Sequence, residues 1–160
     1  MIYKTSLDNF AKTITVFTTI VFIVIITGQV SLIIDFQLTV PIITIIFLVA
    51  TYLVAFLYRP IDYRVTDTKL IIHRPLQDIE IERKDIQSVE KIDKAKLSFT
   101  VRTFGVGGLF GYWGRFANHK IGVMTWYGTR RDKAVLVKTF SNKKFVVTPD
   151  NLDEFLASLS

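Results

Sequence analysis

A nearly unbroken apolar run, residues 13–58, is the longest pattern in the chain, and Asp35 is its only charged residue. A helix needs about 20 residues to cross the hydrocarbon core of a bilayer. The run therefore predicts two membrane spans, about 13–34 and 38–58, joined by a tight turn at the sequence DFQ. Neither segment has the polar face of a core helix in a small soluble protein, and the run is too long for a cleaved signal peptide. We expect a helical membrane hairpin after a short segment, residues 1–12.

The pattern changes at residue 59, where short segments with a period of two begin. Such alternation is typical of half-buried strands separated by turns. Asp67 and Thr68 form a two-residue loop between the first two strands, and KLSFTVRT predicts a strand with Leu97, Phe99 and Val101 on one face. The predicted strands cover residues 61–66, 69–74, 77–82, 86–92, 96–103, 121–129, 134–140 and 144–147.

The last residues, TPDNLDEFLASLS, change to a helical period. Thr148 is the expected N-cap and Pro149 the first helical residue. Four apolar residues recur at helical spacing and form a stripe that packs on the sheet: Leu152, Phe155, Leu156 and Leu159. Residues 59–160 are thus expected to form a mainly-β domain of about seven antiparallel strands closed by one C-terminal α-helix.

The charges around the apolar run predict the orientation of the chain. Lys4 and Lys12 precede the first span, Arg59 and Arg64 follow the second, and the connecting turn has no Lys or Arg. The positive-inside rule then places both termini in the cytoplasm, in a multi-pass protein of the inner (plasma) membrane. The absence of cysteine agrees with a reducing compartment.

The part of the chain after the spans is basic. Lys4 and Lys12 are the only basic residues before Arg59, so 18 of the 20 Lys and Arg follow the spans, against 12 of the 14 Asp and Glu. Each Lys or Arg that reaches an anionic membrane surface contributes about 1 kcal/mol. Nucleic acid is attracted by the same charge, but the membrane tether argues against a nucleic-acid partner.

The sequence shows no pattern typical of catalysis. His73 and His119 are far apart and have no cysteine or paired carboxylate at ligand spacing, so we expect no metal site. Neither a nucleophile elbow nor a P-loop occurs. GVGGLFG is not a dinucleotide fingerprint, because from Gly105 the third glycine would fall at Phe110. We therefore expect no catalytic residue, no cofactor and no enzyme activity.

Four segments carry a resemblance to a known family: YRVTDTKLIIHRP, DIQSVEKID, FGVGGLFGYWGRF and TWYGTRRDKAVLVKT. The chain resembles the small bacterial pleckstrin-homology (PH)-like membrane proteins, in which a two-helix hairpin precedes the domain. The resemblance covers nearly the whole chain. It implies a strongly bent antiparallel sandwich or barrel whose C-terminal helix closes one open end, and it implies no specific activity.

Eukaryotic PH domains that bind phosphoinositides use basic residues around a long first hairpin loop. In this chain Lys69 is followed by Ile72 and Arg74, and the loop is about two residues long. We therefore do not extend phosphoinositide binding to it.

The stretch TFGVGGLFGYWGRF allows three interpretations. Its glycines permit a bend or bulge with the aromatic side chains packed inward, or its aromatic side chains meet lipid headgroups, or they meet another protein. The candidate contact loop comprises Phe104, Gly105, Gly107, Gly108, Phe110, Gly111, Tyr112, Trp113, Gly114, Arg115 and Phe116.

Basic residues around this stretch are candidates for contact with anions or lipid: Arg102, Lys120, Arg130 and Arg131. Within GTRRDK the simpler interpretation is a solvated hairpin turn. The expected function is that of a non-catalytic, membrane-anchored PH-like interaction module that binds a protein partner or a second copy of itself. The alternative is direct binding of anionic lipid headgroups.

Overall fold

The structure, a computed structural model, describes residues 1–34 and 39–159. Asp35 and the expected DFQ turn lie outside these residues. Two helices, α1 (Asn9–Ile34) and α2 (Thr39–Leu57), pack against each other. The hydroxyl groups of Thr19 and Tyr52 lie 3.0 Å apart, which places the first half of α1 beside the last third of α2, as in an antiparallel hairpin.

Both helices are long and apolar enough to cross a membrane. Their mean hydropathy is 2.1 for Asn9–Leu32 and 2.6 for Thr39–Leu57. Only 6% and 11% of the two apolar windows is buried, whereas the core helix of a soluble protein is mostly buried. The helices are therefore two candidate membrane spans. We call the end of this helical hairpin at which α1 begins and α2 ends its base.

The chain enters α1 from a strand that the sequence analysis did not predict. β1 (Ile2–Lys4) pairs antiparallel with β2 (Asp62–Val65), and the Asp8 N–H donates to the Thr129 carbonyl at 3.2 Å. The Asp8 carboxylate accepts the Ala11 N–H at 2.7 Å and caps α1, so the helix begins earlier than expected. The chain is thus held to the β domain before it enters the helical hairpin.

The first sheet has the strand order β1-β2-β3-β4 and is antiparallel throughout. β3 (Lys69–His73) follows β2 through the expected two-residue loop, which the Thr66 N–H closes by donating to the Lys69 carbonyl at 2.9 Å. β4 (Ile79–Glu82) completes the sheet with Ile81 buried. A 3-10 turn, Arg83–Asp85, leads into the second sheet.

The second sheet has the strand order β5-β9-β10-β8-β7-β6. β10 lies between β9 and β8, and it pairs parallel with β8. The expectation that every strand pair is antiparallel is wrong at this position, and GTRRDK connects two strands that are not neighbours instead of forming a hairpin turn. β9 and β10 form the hairpin, and β10 occupies the place beside β8. The strands are β5 (Ile86–Ile92), β6 (Val101–Gly108), β7 (Gly111–Asn118), β8 (Gly122–Gly128), β9 (Ala134–Thr139) and β10 (Lys144–Val147).

The second sheet is covered on both faces at β9, and this gives the domain two apolar clusters. On one face Val135 and Val137 of β9 pack in a cluster with the first sheet and Phe155. On the other face Ala134 and Leu136 belong to a second cluster. Because β9 is covered on both sides, its sequence is a continuous apolar run, as is typical of a fully buried strand.

The predicted strand KLSFTVRT is wrong in its first half. Lys94–Leu97 forms a one-turn helix, α3, and β6 begins at Val101. Leu97 is buried, whereas Phe99 is 83% exposed and has a φ of +59°. The three apolar residues therefore do not share one face, because the helical turn directs only Leu97 into the second cluster.

The C-terminal helix, α4 (Leu152–Leu159), is confirmed, but its N-cap is Asn151 and not Thr148. The Asn151 amide donates to the Glu154 carboxylate at 2.6 Å, and its oxygen accepts the Glu154 N–H at 3.4 Å. Thr148 is fully buried, and its hydroxyl accepts the Thr129 N–H at 2.9 Å. That hydrogen bond links the end of β10 to β8, so the threonine is not free to cap the helix.

Candidate functional site

The glycine-rich stretch forms the β6–β7 hairpin, with Leu109–Phe110 as its turn. Gly105 and Gly114 face each other across the hairpin with φ angles of +102° and +113°. A Cβ on Gly105 would lie 2.2 Å from the Trp113 carbonyl oxygen, and one on Gly114 would lie 2.4 Å from the Phe104 carbonyl oxygen. Only glycine fits this pair. A register shift in β6 adds a bulge.

The tip of this hairpin packs on the helical hairpin of the same chain. The Phe110 ring meets the rings of Tyr52 and Phe56 edge to face, at centroid distances of 5.0 and 5.5 Å. The Phe110 N–H donates to the Thr15 hydroxyl of α1 at 2.9 Å. The tip therefore contacts both helices, and Phe110 is only 9% exposed.

The contact lies inside the ends of the two helices. Gly108 packs against Ile14, where an added Cβ would come within 3.0 Å of the isoleucine side chain. Ile14 and Tyr52 each lie five residues from their helix ends at the base, about 8 Å along the axis. Gly107 and Gly111 lie in the strands on either side of the turn. The hairpin tip thus reaches the boundary of the candidate membrane spans.

The next aromatic residues of β7 point into the domain. Tyr112 and Phe116 are each 1% exposed and pack on Trp126. The Tyr112 hydroxyl donates to the Asp8 carboxylate at 3.2 Å, while the Arg131 guanidinium lies 5.2 Å from the Tyr112 ring centroid. Burial, reinforced by the Asp8 charge, raises the pKa of Tyr112. These contacts join the start of α1 to the second sheet.

Trp113 alternates with Tyr112 and points to the opposite face. Its ring stacks on Tyr58, the residue after α2, at 5.2 Å. The buried Arg74 guanidinium lies 5.3 Å from the Tyr58 ring and 5.3 Å from the Tyr127 ring. This column of aromatic and arginine side chains holds the end of α2 to both sheets.

The far end of the hairpin and the adjoining start of β8 are exposed. Val101 is 62%, Phe104 69% and Val123 67% exposed. Register places Phe104 opposite Arg115, and Val101 and Val123 on either side of Ala117. Since paired residues share a face, these side chains lie on the same face as Trp113, beyond the part covered by Tyr58. We call Val101, Phe104, Arg115 and Val123 the uncovered face.

The four candidate anion contacts differ in their surroundings. Arg102 and Lys120 are exposed and form no ion pair with any described residue. Arg130 is bonded through two nitrogens to Asp132, at 2.7 and 2.9 Å, and through a third contact to Asp150 at 3.0 Å. These hydrogen bonds lower the pKa of Asp132. Arg130, like Arg131 above, is therefore held by contacts with other residues of the domain.

The histidines are not brought together. The His73 ring lies 2.7 Å from the Asp78 carboxylate, whereas His119 is exposed in the turn after β7. Over residues 1–34 and 39–159, no group of three His, Cys, Asp or Glu side chains is arranged to hold a metal ion.

Sequence reasoning missed the residues that join the two parts of the chain. Asp8 carries the one local signal, an acidic residue just before a helix. Tyr52, Phe56, Tyr58 and Arg74 belong to patterns of a membrane span or a strand. Their partners lie far away in the chain, so no local pattern could identify these contacts.

Comparison with known proteins agrees with this architecture. No curated protein and no solved structure matches the chain. The family model described as a bacterial PH domain matches residues 61–160, which is more than half of the chain. Two candidate membrane spans precede the matched region, and a two-sheet β domain with a C-terminal helix fills it. The chain therefore belongs to the bacterial PH domain family.

Proposed function

We propose that this protein is a non-catalytic, membrane-anchored interaction module whose uncovered face binds a protein partner. The partner has an apolar surface bordered by acidic side chains. The base of the helical hairpin faces the cytoplasm, so the PH domain works at the inner surface of the plasma membrane.

The exposure of the uncovered face is the observation that carries this proposal. Val101 and Phe104 of β6 and Val123 of β8 are each more than 60% exposed, and β7 with Arg115 lies between these two strands. Neighbouring exposed apolar side chains on a sheet mark an interaction surface more often than single ones do. Tyr112 and Phe116, by contrast, are buried in the domain and are not available to a partner.

Charge supports an acidic border on the partner. The sequence from 94 to 131 contains no Asp or Glu. Arg115 lies within the uncovered face, opposite Phe104. Unlike charges across an interface speed association and exclude wrong partners. The segment contains seven basic residues: Lys94, Lys96, Arg102, Arg115, Lys120, Arg130 and Arg131.

Orientation of the base toward the cytoplasm rests on the positions of the basic residues. Lys4 and Lys12 lie on the entry side of the base and Arg59 on its exit side. Positive residues near the ends of spans stay on the cytoplasmic side.

The test is a photo-cross-linking amino acid at position 104 of the full chain, in membranes of the producing cell. Phe140 is the matched control position, because it is also a phenylalanine, is 71% exposed and lies outside the uncovered face. We expect one discrete cross-linked product from position 104 and none from position 140. Arg115→Glu should abolish the product, since it reverses the charge opposite Phe104. A product with twice the mass of the chain identifies the partner as a second copy.

The same product from both positions, or none from position 104, contradicts the proposal. A product that survives Arg115→Glu contradicts the acidic border.

Direct contact with anionic lipid headgroups is the second candidate, favoured by the exposed side chains of Arg102 and Lys120, which form no ion pair with a described residue. The chain has no cysteine, so Phe104→Cys and Phe140→Cys each take a single fluorophore. Quenching by a headgroup-attached quencher in anionic bilayers, at position 104 and not at position 140, supports lipid contact. Equal quenching at both positions excludes it.

A further inference from the structure

Arg59 lies just past the end of α2, and its guanidinium group contacts aromatic rings but no hydrogen-bond acceptor among the described residues is found for its Nε. The group lies 4.3 Å from the Phe56 ring centroid and 5.7 Å from that of Phe110. Its Nε is buried and has no hydrogen-bond acceptor, and none of the described carboxylates lies within ion-pair distance of it. A buried donor left unpaired costs about 1–3 kcal/mol, and more when it is charged. The site therefore calls for a hydrogen-bond acceptor, and the positive charge of the guanidinium group favours an anionic one.

A second buried donor at the base is also unpaired. The indole N–H of Trp113 has no acceptor among the described residues. Trp113 stacks on Tyr58, which directly precedes Arg59 in the chain. Two buried N–H donors in the region where α2 joins the PH domain therefore have no hydrogen-bond acceptor among the described residues.

An apolar groove of about 220 Å³ lies between the two helices, starting close to this region. Phe22 of α1 and Val49, Tyr52 and Leu53 of α2 line part of it. The Tyr52 hydroxyl is hydrogen-bonded to Thr19 at 3.0 Å, so the polar atom on its wall is satisfied. Because the groove lies within the candidate membrane spans, the surrounding medium that can fill it is hydrocarbon.

The groove and Arg59 follow one another along the same side of α2. Tyr52 and Phe56 are one helical turn apart and share a face. Phe110 packs against both rings, and the Arg59 guanidinium lies over the face of the Phe110 ring. From the groove toward the base, the order is an apolar slot, an aromatic cluster and a guanidinium group.

We propose that the protein holds one anionic phospholipid at this place, with an acyl chain in the groove between α1 and α2 and the phosphate on Arg59. A phospholipid presents the matching order of hydrocarbon and phosphate. The arginine side chain can bond a phosphate through two parallel N–H groups, and the phosphate supplies the missing acceptor. The site is separate from the uncovered face, so the two proposals stand or fall independently.

The test uses the purified, delipidated full chain in a neutral detergent. Phosphatidylglycerol should raise the melting temperature by about 5 °C or more at saturating concentration. Phosphatidylcholine and inorganic phosphate should each raise it much less, because the first lacks net charge and the second lacks an acyl chain. Native mass spectrometry should show one retained phosphatidylglycerol per chain.

Variants assign the effect to the site. Arg59→Gln should remove the difference between the two lipids, whereas Arg83→Gln, in the 3-10 turn outside both proposed sites, should retain it. Val49→Trp fills the groove and should prevent retention of the lipid. The cross-link from position 104 should persist in Arg59→Gln.

Three outcomes overturn the proposal: equal shifts with both lipids, the full shift with inorganic phosphate alone, or an unchanged lipid preference in Arg59→Gln. If Arg59→Gln cannot be purified, the comparison of the two lipids and inorganic phosphate on the unsubstituted chain still decides.

Discussion

The two ends of the β6–β7 hairpin have similar composition and opposite surroundings. At the tip, Phe110 is 9% exposed and lies against the helical hairpin; at the far end, Phe104 is 69% exposed. Both are phenylalanines close to glycines in one continuous stretch. The difference arises because the tip meets α1 and α2, while the far end extends beyond the first sheet and Tyr58.

This contrast separates the stabilising part of the hairpin from the part free to bind. A residue that contacts both helices contributes to folding, and its loss lowers the free energy of unfolding of the whole chain. A residue on the uncovered face contributes little to folding, so its exposure calls for a different explanation. Substitutions at the two ends can therefore test this division.

The largest effect is expected at the glycine pair that lets the hairpin form. Gly114→Ala places a Cβ 2.4 Å from the Phe104 carbonyl oxygen, at a φ of +113°. We expect a loss of about 3 kcal/mol or more in the free energy of unfolding, measured by denaturation in detergent. Gly107→Ala is the control, because its nearest atoms are 3.6 Å away in the flexible Arg102 side chain. Equal stability of the two variants would show that the close crossing of the strands is not required.

The next effect compares the two phenylalanines directly. Phe110→Ala should cost about 3 kcal/mol, since it removes packing against Tyr52 and Phe56. Phe104→Ala should change the free energy of unfolding by less than about 0.5 kcal/mol. The same denaturation measurement checks both variants. A large loss in Phe104→Ala would mean that the uncovered face is part of the fold.

A smaller effect is expected at the contact between Tyr112 and Asp8. Tyr112→Phe should cost about 1 kcal/mol at neutral pH, because one hydrogen bond is lost. Burial raises the pKa of Tyr112, so the stabilising effect of its neutral form is fully present below about pH 10, the pKa of an unfolded tyrosine. Above that pH the unfolded chain loses the proton first, and stability falls.

Measurement of the melting temperature between neutral pH and about pH 11 checks this expectation. The decline should be shallower in Tyr112→Phe and in Asp8→Asn, which removes the nearby negative charge. Identical curves for the wild-type chain and Tyr112→Phe would contradict the stated role of Tyr112.

The smallest effect is expected at Phe99, whose positive φ angle is close to that of Phe110. Phe99 and Phe110 have φ angles of +59° and +57°, a region that favours glycine. Phe99 is 83% exposed, so Phe99→Gly should raise the free energy of unfolding by about 0.5 kcal/mol through relief of strain. Phe110→Gly should lower it, because lost packing outweighs the relief. A loss of stability in Phe99→Gly would reveal packing at the far end.

Much of the fold could be predicted from local patterns. The two apolar helices, the β2–β3 hairpin and the amphipathic stripe of α4 each follow from a period visible in the chain. β1 and α3 were missed because three or four residues carry no clear period. The position of β10 between β9 and β8 could not be predicted, since alternation along a strand does not specify its neighbours.

The sequence identified the residues of the candidate contact loop, but it did not predict where their side chains point. The sequence left open whether the aromatic side chains point inward, to lipid or to another protein, and the structure places Tyr112 and Trp113 on opposite faces of β7. Periodicity does not reveal that Trp113 stacks on Tyr58 or that Phe110 meets Tyr52. Those contacts depend on how the helical hairpin lies against the domain.

By itself the sequence determined two apolar spans, a mainly-β domain closed by a helix, and a glycine-rich segment able to bend. These properties follow from hydrophobicity, period and backbone freedom, which act over a few neighbouring residues. Only the tertiary structure decided that Phe110 contacts the helices, that Phe104 remains exposed and that the Nε of Arg59 is buried with no acceptor among the described residues. Contacts between distant parts of the chain create burial and pairing, so these assignments have no local pattern from which they could be read.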